Sequence, residues 1–490
     1  MMRDVPANRL AILWLAMLLP WVALLAGVHR INHDAAWFFY VARGVMRGGT
    51  LYRDFIEPNA PPASLSLVPA VWLGQHLNIG PALAVELGVL AFASVAMGLS
   101  IAVLWLLRVP DRCLILASIA LLAGFVFLPK SSFAQREHIL AMLLTPYVLG
   151  CAAVCAGAAV PRGLGAAIGL AAALAVGLKP PFILVPAAVE AVVAARAGIR
   201  HVVRTQSVAL GVALCAMVGA TLVFFPLYAS SVVPWATALY SGYDQPDAVR
   251  RNIVGALLAG VTIWLAWRAE GAAARGMKDC LAAAVAASLV VYAVQDKGWR
   301  YQLFPAWFFV FLLASGTIAA SEGWPGGTAL SWVRWIPARL LAGGLCVYMV
   351  FGQPRAEDMG KFAGVAQAIA AEPGPFLILS TNVSPAFPLA LEEDRVWASR
   401  TPIMIMLPGL VAAEKRGIVS PWESVYRGWI DADMRRFRPA LVFVPPVGPQ
   451  AMPRDFDVLA WLLRDPAFAA VWSHYHEVGV RDGLRMFRLS

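Results

Sequence analysis

Charge is the scarcest ingredient of this sequence. Asp, Glu, Lys and Arg make up 14% of its 490 residues, and 60% are hydrophobic. An ordinary soluble domain carries roughly 25% charged residues, so a chain that is soluble throughout is excluded. The mean hydropathy of +0.69 points to a polytopic membrane protein. A disulfide framework is also missing. The six cysteines (113, 151, 155, 215, 280 and 346) all lie in or beside apolar runs, with no CxxC among them. They therefore say little about redox compartment. No internal repeat or low-complexity segment stands out, which argues against a solenoid. No A-x-A-like cleavage site precedes the first polar loop, so the first apolar run is expected to be a retained span. The net charge of +10 comes from basic residues scattered through short loops between apolar runs. That pattern fits a membrane surface and anionic lipid, and it excludes nucleic acid as the expected partner.

Eleven apolar segments are expected to cross the bilayer: 10–28, 81–107, 114–128, 139–156, 165–178, 182–195, 208–225, 253–267, 281–294, 303–319 and 340–351. Residues 63–77 follow a Pro pair and are too short to span, so they are expected to form a juxtamembrane helix. Lys and Arg favour a cytoplasmic N-terminus only slightly. Eleven spans from that start put the C-terminal part on the far side, the periplasm of a Gram-negative cell. The expected division is a membrane domain over 1–352, with a first periplasmic loop at 29–80, and a small periplasmic α/β domain over 353–490. In the latter, FLILS (376–380) and LVFVP (441–445) read as short buried strands, FDVLAWLL (456–463) as a helix, and MFRLS (486–490) as a final edge strand.

The chemistry-bearing residues concentrate in Asn32–Ser64. Asp34 stands where an N-cap would accept backbone N–H groups. After it, Phe38, Val41, Ala42 and Val45 recur at i, i+3, i+4 and i+7, while Arg43 and Arg47 lie off that stripe. The spacing predicts an amphipathic helix in the membrane interface, with a carboxylate at its start. A carboxylate beside a bilayer is costly unless it is used or paired. Downstream come Tyr40, Gly48-Gly49, Tyr52, Asp54, Glu57 and Pro61-Pro62.

This arrangement resembles the first extracytoplasmic loop of the integral-membrane glycosyltransferases with the C-type fold, the group of protein O-mannosyltransferases and bacterial aminoarabinose transferases. The resemblance rests on an acid after the first span, an aromatic-rich helix, G-G-x-L-Y-x-D and a Pro-Pro pair. It implies that Asp34 is the catalytic acid and that the loop faces a sugar carried on a polyprenyl phosphate. Many members carry an Asp-Glu pair here. Ala35 replaces the second acid, so Asp54 and Glu57 become candidates for sharing its work, with Tyr40 and Tyr52 as candidate substrate contacts.

Basic residues kept in compact motifs outside the membrane, against the positive-inside rule, suggest an anionic ligand. Gln135-Arg136-Glu137-His138 opens a span, and Arg136 offers a planar fork for phosphate. Its bland alternative is an interfacial cap. Gly177-Leu178-Lys179-Pro180-Pro181 resembles the family's T-K-G-P hairpin tip. Gln295-Asp296-Lys297-Gly298-Trp299-Arg300-Tyr301 sets cations beside aromatics, an arrangement suited to a sugar face next to a phosphate. Arg136, Lys179 and Lys297 are expected to converge near one cavity, with Glu137, His138, Trp299 and Arg300 beside them. His29 and His33 are four apart, but no third ligand is evident, so no metal and no cofactor are expected.

These readings lead to a transferase that moves a sugar from a polyprenyl-phosphate donor to a glycan, lipid or protein acceptor at the periplasmic face of the inner membrane. The rival class is a transporter of a lipid-linked sugar or small solute, which would show paired halves with interrupted spans. No such symmetry is present. A non-catalytic scaffold subunit is a third alternative, one that would tolerate loss of the acids.

Overall fold

A computed structural model describes residues 31–267, 271–320, 329–352 and 359–490. The expected first span at 10–28 and His29 lie outside the described residues. The chain divides into two compact units.

The first unit, described over residues 86–219 and 245–352, is a helical bundle. Each of the ten remaining segments expected to span the membrane lies on helix. Among the described residues, seven helices are long and apolar enough to cross. Length and composition thus make this a multi-pass membrane protein. The expected span at 114–128 is an α-helix, Asp111–Leu122, that runs into a π-helical turn, Ala123–Phe127. At the bundle's centre stands Arg136–Cys155. Buried residues make up 94% of its apolar window, so it has no lipid-facing stripe. It packs against Arg162–Leu178, Leu184–Ala197, Gly271–Gln295 and Phe304–Ala320. By contrast the Thr205–Phe224 window is only 6% buried, as a helix bathed in lipid requires. The hairpin expected at Lys179–Pro181 is present, its tip formed by the 3-10 turn Pro180–Ile183.

The second unit groups 31–85 and 220–244 with the C-terminal segment. The expected boundary at 352/353 abuts residues 353–358, which lie outside the described residues, and the first loop belongs in the same compact unit as the C-terminal segment rather than with the bundle. The reason is packing. The helix His33–Met46 buries Ala35, Ala36, Trp37, Phe38, Phe39, Val41 and Ala42, well beyond the predicted stripe. It is a core helix of this unit, not one lying open in an interface. It packs on Val68–Leu77 and on Ala386–Glu392, where Trp37 and Tyr40 meet Phe387 edge-on at 5.2 and 5.5 Å. The predicted juxtamembrane segment forms two short helices, Pro62–Leu65 and Val68–Leu77.

Four strands form one sheet: β1 Phe376–Ile378, β2 Leu441–Val444, β3 Tyr475–Arg481 and β4 Leu484–Leu489. Their order is β1-β2-β4-β3, with β1 and β2 parallel and the other pairs antiparallel. β1 and β2 are fully buried, as their unbroken apolar runs predict. The final strand is not an edge, because β4 lies between β2 and β3. The hairpin that supplies the β3 edge turns at Asp482-Gly483, with φ of 49° and 80°. Positive φ at both central residues is what a tight hairpin turn demands, and Asp-Gly supplies it.

Candidate functional site

The candidate residues fall into two sets, one in each unit. In the second unit, Asn32, not Asp34, caps the helix His33–Met46: its Oδ1 accepts from the Asp34 backbone N–H at 2.9 Å. Asp34 is moved into the first turn, where its charge meets the positive end of the helix dipole. Among the described residues its carboxylate has one ion-pair contact, His33 Nε2 at 3.7 Å, and 18% of the side chain is exposed.

The other two loop acids are engaged by the fold. Glu57 is buried. Its Oε2 accepts from Trp37 Nε1 at 2.5 Å, and its Oε1 accepts from the Asn59 backbone N–H at 3.1 Å and from the Asn59 side chain. Asp54 accepts from the Thr50 N–H at 2.9 Å and pairs with Arg53 at 3.0 Å and Arg436 at 3.4 Å. Burial alone would raise the Asp54 carboxyl pKa, but the Thr50 N–H and the two guanidinium groups outweigh it and hold it below its ordinary value.

Both tyrosine hydroxyls are hydrogen-bonded to backbone groups. Tyr40 Oη accepts from the Trp397 backbone N–H at 3.1 Å, and Tyr52 Oη donates to the Asn59 carbonyl at 2.7 Å while its ring meets Phe225 and Tyr228. Burial, foremost, pushes both phenols up.

In the first unit, Arg136, Glu137 and His138 form the first turn of the central helix and are buried. Glu137 Oε1 pairs with Lys179 Nζ, joining the helix start to the hairpin tip. Its second oxygen, Oε2, is buried without a hydrogen-bond partner among the described residues. His138 is tied into the fold at both ring nitrogens. Nδ1 accepts from the Ala134 N–H at 3.2 Å, so Nε2 carries the proton and donates to the Phe125 carbonyl at 2.7 Å. No ring nitrogen is left for a leaving oxygen.

Lys297 is buried in the loop 296–299, while Arg300 is exposed at the start of a 3-10 turn, Arg300–Leu303. Trp299 stacks on Tyr301 at 5.8 Å. Asn252 braces the loop through the Gly298 carbonyl at 3.3 Å and Tyr292 Oη at 2.8 Å. The Pro180–Ile183 turn and the Arg300–Leu303 turn both pack on Gly271–Gln295, so one helix carries both expected cationic motifs.

Gly298 has φ of +67°, and a Cβ there would lie 2.8 Å from that of Ala248. Gly298→Ala is therefore expected to destabilise the bundle by about 1–3 kcal/mol, read as a lowered thermal midpoint in detergent. An unchanged midpoint would show that the loop yields freely.

Sequence reasoning missed one half-buried polar cluster in the bundle. Glu190 accepts from both Arg204 terminal nitrogens at 2.7 and 2.8 Å and from Tyr147 Oη at 2.6 Å. The signal was an acid inside an apolar helix with an Arg 14 residues on. No group of three or more His, Cys, Asp or Glu able to hold a metal occurs among the described residues.

Comparison with protein-family models gives no match, and comparison with curated proteins gives none. Among solved structures, the apo crystal structure of ArnT from Cupriavidus metallidurans is similar to this chain at 15% identity, with a TM-score of 0.43, over 98% of this chain and 97% of that one.

Proposed function

We propose that this chain is an inverting integral-membrane glycosyltransferase. It takes a sugar from a polyprenyl-phosphate donor and passes it to a cell-envelope glycan, lipid or protein at the periplasmic face of the bacterial inner membrane, without a cofactor. The observation that supports this most is the contrast among the loop acids. Glu57 and Asp54 are held by several donors from the fold, whereas among the described residues the Asp34 carboxylate has only the His33 contact at 3.7 Å.

In this reading, an acceptor hydroxyl attacks the anomeric carbon and the bond from that carbon to the phosphate oxygen breaks. The hydroxyl proton passes to Asp34, and polyprenyl phosphate leaves. General-base help of this kind is worth about 10²–10⁴-fold. Within the bundle, Lys179, whose ammonium Glu137 holds in place, and Arg136 are the cations suited to an anionic ligand. The C-terminal segment lies on the periplasmic side with the first loop.

Mass spectrometry of lipid-linked sugars and envelope glycans, with and without the gene, tests the reading. Accumulation of one polyprenyl-phosphate sugar, together with loss of one glycan modification, is the expected result. An unchanged profile would overturn it in favour of transport or scaffolding.

A further inference from the structure

In the second unit, the helices Leu407–Lys415 and Trp422–Phe437 are joined by a turn whose ends are both pinned. At the first end, the Ile418 N–H bonds the Ala413 carbonyl at 3.0 Å and the Gly417 N–H bonds the Glu414 carbonyl at 2.9 Å. That is the Schellman helix stop, with Gly417 at φ +71° as the left-handed residue it needs. At the second end, Ser420 Oγ accepts from the Trp422 N–H at 3.3 Å, and the Ser420 carbonyl accepts from the Glu423 N–H at 3.2 Å.

This stop ordinarily tucks the residue after the glycine back onto the helix. Here Ile418 is 54% exposed and Val419 is 90% exposed. Single exposed apolar side chains need no explanation. Two adjacent ones held outward on a pinned turn are a presented surface.

The charge around the tip is one-sided. Lys415 and Arg416 precede it and are exposed. The nearby acids are neutralised locally, Glu414 by Arg464 at 2.7 Å and Glu423 by Arg427 at 2.9 Å. The helix that carries the tip begins against the segment 225–245, which links two candidate spans, Thr205–Phe224 and Pro246–Ala266. The approach there is backbone to backbone: a Cβ on Gly409 would lie 2.1 Å from the Leu239 carbonyl oxygen, and one on Gly242 would lie 2.3 Å from the Gly409 nitrogen. Six helical residues, Leu410–Lys415, separate that contact from the tip, about 9 Å at the usual rise.

We infer that Ile418 and Val419 insert into the headgroup boundary of an anionic bilayer, with Lys415 and Arg416 on lipid phosphates. The tip is an interfacial anchor of the extramembrane unit, and it goes beyond the proposed transfer reaction. Apolar side chains flanked by bases bind such surfaces by burial and charge together.

The test places a photo-crosslinking amino acid at position 419 of the full chain, in nanodiscs of phosphatidylcholine alone or with phosphatidylglycerol. Mass spectrometry reads the adducts, with exposed Ala451 as the control position. Lipid adducts at 419 but not at 451, enriched with phosphatidylglycerol and reduced about tenfold by the double variant Lys415→Glu/Arg416→Glu, are expected. Three results would each overturn the inference: adducts to protein, adducts to water alone, or equal lipid adducts with and without phosphatidylglycerol.

Discussion

Asp34→Asn should insert, fold and bind the lipid donor, yet transfer sugar about 10²–10⁴-fold more slowly, the usual cost of a lost general base. Asn keeps the size of the side chain, and the Asn32 cap on the Asp34 backbone N–H is untouched. The structural effect is limited to losing a first-turn negative charge, about 0.3–1 kcal/mol. The neighbouring acids supply the internal comparison. Asp54→Asn removes partners from Arg53 and Arg436 on an exposed surface, so activity should stay near that of the parent. Glu57→Gln converts a buried acceptor into a group that also donates, facing Trp37 Nε1 and the Asn59 donors. That mismatch should lower stability by about 1–3 kcal/mol. Transfer rates should follow the folded fraction. Full activity in Asp34→Asn, with loss in Glu57→Gln beyond its loss of fold, would move the base to Glu57.

Lys179→Met should destabilise the bundle by about 3–5 kcal/mol, because it strands the buried Glu137 carboxylate. Both Glu137 oxygens would then lack the ion pair, and among the described residues Oε2 already has no hydrogen-bond partner. Replacing both residues by Met removes both charges at similar volume, and this should recover most of that loss. Thermal unfolding of the two variants separates pair from point effects. Equal destabilisation in single and double variants would mean that the two charges are not coupled. In the double variant, recovered stability with transfer still abolished is the expected outcome for a lysine that also meets phosphate.

The bundle was legible in the sequence because hydrophobic length is the signal that a bilayer imposes. Strands β1 and β2 were legible for a similar reason, as short apolar runs bounded by turns. β3 was not. Its sequence YHEVGVR sets two valines among polar residues on an edge, so no unbroken apolar run marked it, and the Asp482-Gly483 turn was the one usable clue. The cap at Asn32 was hidden because Asn, His and Asp stand in line, and only the backbone decides which of the two cap-forming side chains, Asn32 or Asp34, lies at the helix boundary. His138 shows the limit of motif reading. Four polar residues at a helix start look available in one dimension, but the ring nitrogens of His138 are claimed by Ala134 and Phe125. The division into units failed to show for another reason. Aromatic contacts such as Trp37 on Phe387 join residues far apart in the chain, and no local pattern encodes their partner.

The bond from the Trp397 N–H to Tyr40 Oη spans 357 residues. At a synthesis rate of about 5–20 residues per second, the His33–Met46 helix waits on the order of 20–70 s on the ribosome before its C-terminal partners exist. Throughout that interval Trp37 and Tyr40 lack Phe387, although the nearer partners Glu57 and Val68–Leu77 are already made. The first loop is therefore completed last, after the helices of the bundle have been made. A chain stopped before Phe387 would carry its candidate acid on a helix that lacks the Phe387 side of its packing.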